Sequence, residues 1–124
     1  MRSRLLRRFG GKLVKDTGDG FLATFTLPTN AVSCGLKLAE QAKEVGVDVR
    51  VGLHTAEILH KGGDIDGLGV HIASRIEAAA EPGQVLLSST VSGVLAGSEF
   101  EFESAGQREL KGVDGNWDLF VVRT

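Results

Sequence analysis

The sequence is poor in cysteine, in aromatic residues and in long apolar runs. Its 124 residues include one cysteine, two prolines and no tyrosine, and only 6% of them are aromatic. A single cysteine, Cys34, can form neither an internal disulfide nor a zinc site by itself, which favours a reducing, cytoplasmic setting. No apolar run approaches the roughly 18 residues that suggest a membrane span. These absences argue against a disulfide-stapled secreted domain and against a membrane protein.

An excess of charge of one sign is also missing. Lys and Arg number 14 and Asp and Glu 16, so the net charge is −2, which gives no basic footprint for nucleic acid. The local exception is residues 1–8, with four arginines and no acid. This segment could be a targeting leader or a phosphate-binding arm, although it lacks the apolar core and cleavage site of a secretory signal. The glycines that follow, Gly10 and Gly11, favour the last turns of an amphipathic helix instead.

Glycine, by contrast, is abundant, with 17 residues that fall at the joints between periodic segments. Neither a linker nor an internal repeat is visible, so residues 1–124 are predicted to form one domain. The predicted elements, in order, are a hairpin of strands 12–15 and 21–26, a helix capped by Thr29 or Asn30 and ended by Gly46, a strand 47–53, a loop or exposed hairpin 57–67, a helix 68–80, a strand 84–87, a short helix capped by Ser88 or Ser89, and strands 99–103 and 117–122. This order predicts an α+β fold with a mostly antiparallel sheet.

Several residues could carry chemistry, and each has an ordinary structural alternative. Asp16 and Asp19 suit a tight turn, but Asp19 at the tip could also offer a carboxylate to Mg²⁺ or Mn²⁺. His71 and Arg75 are four apart and share a helix face. The arginine could be salt-bridged or could meet a developing phosphate charge, and the histidine could be structural. Lys111 could be a turn lysine or a phosphate contact.

Taken together and in order, four segments resemble the catalytic domain of class III nucleotidyl cyclases, in particular the bacterial adenylate cyclase type. They are GGKLVKDTGDGFLATF (10–25), VRVGLHTAE (49–57), GGDIDGLGVHIASRIEAAAEPGQVLLS (62–88) and RELKGVDGNWDLFVV (108–122). The resemblance covers nearly the whole chain. It implies a ferredoxin-like, βαββαβ-derived fold with extra C-terminal strands. It also implies a homodimer whose active sites are built from both protomers.

The resemblance further implies a role for each candidate residue. Asp19 matches the second of two metal-binding aspartates, so Mg²⁺ or Mn²⁺ is the implied cofactor. Lys15 and Asp64 match the pair that reads adenine, which makes ATP the implied substrate. Arg75 matches the arginine that stabilises the transition state, and Lys111 matches a lysine that contacts the phosphates.

Two departures from the family pattern stand out. His71 occupies the place of an asparagine that orients the ribose, so a ribose contact is the role expected of His71. Ahead of Gly10, the family has a strand with the first metal aspartate and then a long helix, whereas the first acid of this sequence is Asp16. We therefore expect a fold lacking the first strand and most of the first helix. Asp16 lies only three residues from Asp19 and need not face the same way.

Two functions follow from these observations. The first is conversion of ATP to cyclic AMP and pyrophosphate by two-metal catalysis at a dimer interface, impaired by the absent aspartate. The alternative is a non-catalytic dimerisation or nucleotide-binding module in signalling, which would bind nucleotide without turning it over. Strand edges left unpaired would favour a domain-swapped or edge-paired homodimer. The run Gly62-Gly63-Asp64 also resembles the signature hairpin of diguanylate cyclases, but its surroundings match the adenylate cyclase pattern better.

Overall fold

A computed structural model of the chain describes residues 2–61 and 64–123, without the side chains of residues 59–61 and 64–66. The helices are α1 (Arg2–Arg8), α2 (Pro28–Glu44), α3 (Leu68–Ala79) and α4 (Ser89–Val94). The strands are β1 (Lys12–Asp16), β2 (Phe21–Thr24), β3 (Val51–Leu53), β4 (Leu59–Lys61), β5 (Asp64–Asp66), β6 (Val85–Ser88), β7 (Glu101–Glu109) and β8 (Asn116–Arg123). Within the described ranges, no helix is long and apolar enough to cross a membrane.

The strands form one larger sheet and two hairpins. The larger sheet has the order β3-β6-β8-β7, in which β3 and β6 run parallel and the other neighbours antiparallel. Strands β1 and β2 make one antiparallel hairpin, and β4 and β5 make the other. The prediction of an α+β fold with a mostly antiparallel sheet is therefore confirmed, and so is the hairpin alternative for residues 57–67.

Helices cover both faces of the larger sheet, and strand β6 is therefore buried along its whole length. Side chains alternate between the two faces of a strand. Val85 and Leu87 accordingly pack in a cluster with residues of α2 and α4, whereas Leu86 packs with residues of α3. The alternation places α3 on the opposite face of the sheet from α2 and α4.

The N-terminal helix is packed against the β1–β2 hairpin. Leu5 and Leu6 of α1 are buried with Cys34 of α2, and hairpin residues pack against this cluster. The helix ends where Gly11 donates a backbone hydrogen bond to the Leu6 carbonyl at 2.7 Å, after Gly10 has turned to a φ of +74°. The prediction that these arginine-rich residues form a helix stopped by glycine is confirmed.

Several element boundaries differ from the sequence prediction, and three of the differences have a clear physical reason. The strand predicted over residues 47–53 begins only at Val51, because its partner β6 begins at Val85 and the two are paired from there. Helix α2 begins at Pro28 rather than after a Thr29 or Asn30 cap. The residue before Pro28 makes no side-chain cap, and proline is already set for the first helical position. Strand β7 extends to Glu109 because its partner β8 pairs with it along that whole length.

Strand β3 and helix α3 approach each other so closely that no side chain fits between them. A Cβ built on Gly52 would lie 2.3 Å from the backbone nitrogen of Glu77 and 2.7 Å from the carbonyl oxygen of Ala73. Both obstacles are backbone atoms of a helix, so they cannot rotate away as a flexible side chain would. Gly52 therefore fixes the distance at which α3 lies over the sheet.

We expect Gly52→Ala to destabilise the fold by at least about 1–3 kcal/mol, because the added methyl group overlaps the α3 backbone. Gly93→Ala is the matched control, since nothing lies within 4 Å of its Cβ position and it sits inside α4. Alanine there should be neutral or stabilise slightly through its helix propensity. Urea unfolding of both variants measures the difference, and equal free energies of unfolding would contradict the close approach.

Candidate active site

Two aspartates lie at the turn of the β1–β2 hairpin, and they differ in whether their carboxylates are hydrogen-bonded. The Asp16 carboxylate accepts hydrogen bonds from the Arg2 guanidinium and, at 2.9 Å, from the Gly18 backbone N–H. These partners, the Arg2 bond foremost, lower the pKa of Asp16. Asp19 is exposed and makes no hydrogen bond or ion pair with any residue that the structure describes. The turn therefore leaves Asp19, and not Asp16, open to a ligand.

Asp19 borders a groove of about 730 Å³ that lies between the hairpin, β3 and one edge of α3. Glu77 of α3 borders the same groove, and its pKa is raised by burial and by the negative charge of Asp19. Two carboxyl groups that repel each other in this way favour a cation between or beside them. The described residues nevertheless contain no group of three or more side chains suited to a metal ion.

The other edge of α3 carries His71 and Arg75. Both are half-buried, while Ile72 and Ile76 of the same helix are buried in the core. The Nε of Arg75 is buried and has no hydrogen-bond partner among the described residues. A buried donor without a partner costs free energy, and such a group in a native structure needs an explanation. Because the Nε has no exposed surface, an external acceptor reaches it only if the Arg75 side chain moves.

Lys111 lies on the turn between β7 and β8, which we call the Lys111 turn (Leu110–Gly115). Leu110 is buried under α3, and the Val113 N–H donates to the Leu110 carbonyl at 2.9 Å. The Lys111 side chain is exposed, but its carbonyl oxygen lies 3.1 Å from Nε2 of His71. The structure thus brings two of the predicted site residues together: the side chain of His71 meets the main chain of Lys111.

Lys15 and Asp64, the predicted adenine pair, belong to strands that touch. Lys15 is exposed on β1, Asp64 begins β5, and β1 packs against β5. The Asp64 side chain lies outside the described residues, so the pairing of the two side chains stays a prediction.

A chain of contacts that the sequence did not reveal runs from the sheet to the Lys111 turn. Nδ1 of His54 lies 2.7 Å from Oγ of the fully buried Ser88. The Trp117 ring meets the His54 ring edge-on at 5.8 Å, and the Trp117 indole N–H donates to the Asp114 carbonyl at 3.2 Å. Ser88 was predicted as a helix cap. It precedes α4 but makes no side-chain cap bond, because its hydroxyl is used by His54.

The predicted site residues are divided between the two edges of α3. Positions 69, 73 and 77 line the groove that Asp19 borders, whereas Lys15, His71, Arg75 and Lys111 do not line it. Residues 73 and 77 recur on one side of a helix, and residues 71 and 75 point almost the opposite way. Lys111 instead borders a shallow cavity of about 550 Å³ formed by residues 109–115. Among the side chains that the structure describes, the expected metal ligand and the expected substrate contacts do not lie in a single cavity.

We expect His54 to make stability depend on pH. Burial lowers the pKa of His54, so just below the ordinary histidine value of about 6.5 the unfolded chain binds more protons than the folded chain. The free energy of unfolding should therefore rise with pH through this window and level off above it. His54→Gln should flatten that rise, measured by urea unfolding between about pH 5 and 8. The same slope in both proteins would contradict a lowered pKa for the half-buried His54.

Comparison with known proteins places this geometry in context. A model of the family described as "Adenylate and Guanylate cyclase catalytic domain" matches residues 2–124. The chain is 33% identical over 113 residues to "Putative adenylate cyclase 3" of Rhizobium meliloti, which covers 84% of this chain and 19% of that protein. It is 31% identical over 119 residues to a pH-sensitive adenylate cyclase of Mycobacterium tuberculosis, with 89% and 29% covered. The chain thus spans less than a third of the length of either relative.

A solved structure gives the same result for the fold. The crystal structure of an adenylate/guanylate cyclase/hydrolase from Silicibacter pomeroyi superposes with a TM-score of 0.91 at 26% identity. The superposition covers 98% of this chain and 76% of that one.

Proposed function

Since the chain belongs to the adenylate and guanylate cyclase catalytic domain family, we propose that it converts ATP to cyclic AMP and pyrophosphate at sites shared by two copies. The fold predicted from the four motifs is confirmed by the same comparisons. The observation that carries the proposal is the division of the site residues between the two edges of α3. Asp19 borders the groove on one edge, and Arg75 lies on the other edge, outside that groove, so a complete site would need an edge from each of two chains.

The metal side of the site would rest on Asp19. Its open carboxylate is a hard oxygen ligand of the kind that Mg²⁺ and Mn²⁺ prefer, and Glu77 adds negative charge beside it. A divalent ion bound there would activate the ribose 3′-hydroxyl and neutralise charge on the triphosphate. We expect slow turnover, because the second carboxylate of the turn, that of Asp16, already accepts hydrogen bonds from Arg2 and Gly18 and is not open to a metal ion.

The phosphate side of the site would rest on two cations. The half-buried Arg75 guanidinium would pair with a phosphate oxygen while charge develops during the reaction. The exposed Lys111 ammonium would act as a point charge on the same phosphate chain. These groups perform no covalent step, so their contribution is positioning and charge stabilisation.

Base selection would rest on Lys15 and Asp64. Adenine presents an exocyclic amine, which donates, and a ring nitrogen, which accepts. A carboxylate and an ammonium complement that edge, whereas guanine would place its carbonyl oxygen against the carboxylate. The contact between β1 and β5 supports this assignment, because it brings the two backbones together. We therefore propose ATP rather than GTP as the substrate.

The strand edges favour close association of two chains. Among the described strands, β2 pairs with β1 alone and β3 pairs with β6 alone, so each keeps one unpaired edge facing the groove. Unpaired edges invite pairing with another strand. A domain-swapped or edge-paired homodimer would cover them.

The second candidate function is a module that binds nucleotide without turning it over. The engagement of Asp16 by Arg2 favours it, because the hairpin turn then supplies one open carboxylate rather than two. Both functions predict nucleotide binding, and only the first predicts product.

Cyclic AMP formation from ATP, with Mn²⁺ and concentrated protein, separates the two functions. We expect slow formation that falls by about 100-fold or more in Asp19→Ala and in Arg75→Ala, in the range for loss of one electrostatic stabiliser. GTP in parallel should give less product.

The control is Asp118→Ala, which removes an exposed acid outside the groove and should leave the rate unchanged. Bound ATP without product in the unmutated protein would favour the module. Product that persists in Asp19→Ala would contradict the assigned metal ligand.

A further inference from the structure

The Lys111 turn contacts α3 through the buried Leu110 side chain and through a hydrogen bond from His71. A carbonyl oxygen can only accept, so Nε2 of His71 carries the proton and donates to the Lys111 carbonyl at 3.1 Å. The next residue, Gly112, has a φ of +79°, and a Cβ there would lie 2.9 Å from the same Nε2. Two independent features at Gly112, the backbone angle and the missing side chain, therefore let the His71 ring reach the main chain.

The far end of the same turn is held by Trp117. Its indole N–H donates to the Asp114 carbonyl, and its ring rests against His54, which is fixed by buried Ser88. The turn is thus tied to α3 at Lys111 and to the sheet at Asp114. Both ties end on main-chain carbonyls, so they order the path of the turn.

We propose that His71 is a positioning residue, which holds the Lys111 turn at a fixed distance from α3 so that Lys111 and Arg75 can meet the same phosphate chain. This inference rests on the proposed function, because it takes both cations as phosphate contacts. Arg75 lies one helical turn after His71 on the same edge of α3. At Lys111 itself, the His71 hydrogen bond therefore orders the backbone that carries one of two cations coming from different elements. Ordering the turn before the ligand arrives removes part of the entropy cost of binding.

This role differs from the ribose contact that the family resemblance implies for position 71. A ribose contact acts only on ligands that contain the sugar. A positioning residue acts on any ligand that bears the phosphate chain. Inorganic tripolyphosphate, which has neither sugar nor base, therefore distinguishes the two roles.

The test measures binding of tripolyphosphate and of ATP, each with Mn²⁺, by calorimetry. We expect His71→Ala to weaken both by a similar factor, about 2- to 10-fold, as for one lost hydrogen bond. His71→Gln, which keeps an N–H donor, should recover most of the loss. Ser74→Ala, an exposed change on the same helix, should bind as the unmutated protein does. Loss of ATP affinity with unchanged tripolyphosphate affinity would overturn the proposal in favour of the ribose contact.

A second readout needs no ligand. Trp117 is the only tryptophan and the chain has no tyrosine, so the emission of the protein reports on the far end of the turn. We expect acrylamide to quench this emission more strongly in His71→Ala than in His71→Gln or Ser74→Ala, and equal quenching would overturn the proposal. If the unmutated protein binds neither ligand, the proposed function fails, and the quenching comparison still decides whether His71 holds the turn.

Discussion

The arrangement of this molecule depends on the distance between β3 and α3, which Gly52 sets by having no side chain. At that distance the apolar stripe of α3 is buried on the sheet. The helix then separates the groove beside the hairpin from the Lys111 turn. Glu77 borders the groove beside the hairpin, and His71, on the opposite edge of α3, contacts the Lys111 turn. A larger residue at position 52 would push the helix outward and shift both surfaces together. The absence of a side chain at position 52 therefore sets the positions of α3 residues that do not contact Gly52 themselves.

The division of charge in the hairpin follows from a second tie, between α1 and β1. Arg2 neutralises Asp16 and also lies over the Phe21 ring, with 5.3 Å between the guanidinium carbon and the ring centroid. One carboxylate of the turn is thereby used in holding the hairpin to the helix. The other, Asp19, borders the groove together with Glu77. One carboxylate of the turn thus serves a structural contact, and the other is left open to solvent.

Local patterns predicted much of the fold, and long-range pairing decided what they missed. The helix ended by Gly10 and Gly11, the hairpins and the helix bearing His71 and Arg75 were all visible in residue spacing. The start of β3 was not, because it is set by the first residue of β6. The hydrogen bond from His54 joins residues 34 positions apart, and that from His71 joins residues 40 apart. The second of these ends on a backbone carbonyl, which leaves no trace in residue identity. Ser88 was predicted as a helix cap because its true hydrogen-bond partner, His54, lies far away in the sequence.

The central claim is that Asp19 of one chain and Arg75 of another serve the same site. Mixing Asp19→Ala chains with Arg75→Ala chains tests it, with ATP bound and cyclic AMP formed as the two readouts. If sites are shared in a two-fold dimer, half of the dimers in an equal mixture are mixed, and each mixed dimer has one intact site. The account predicts that the mixture recovers about a quarter of the unmutated signal, while each variant alone recovers little. A mixture no better than its separate components would contradict the shared site.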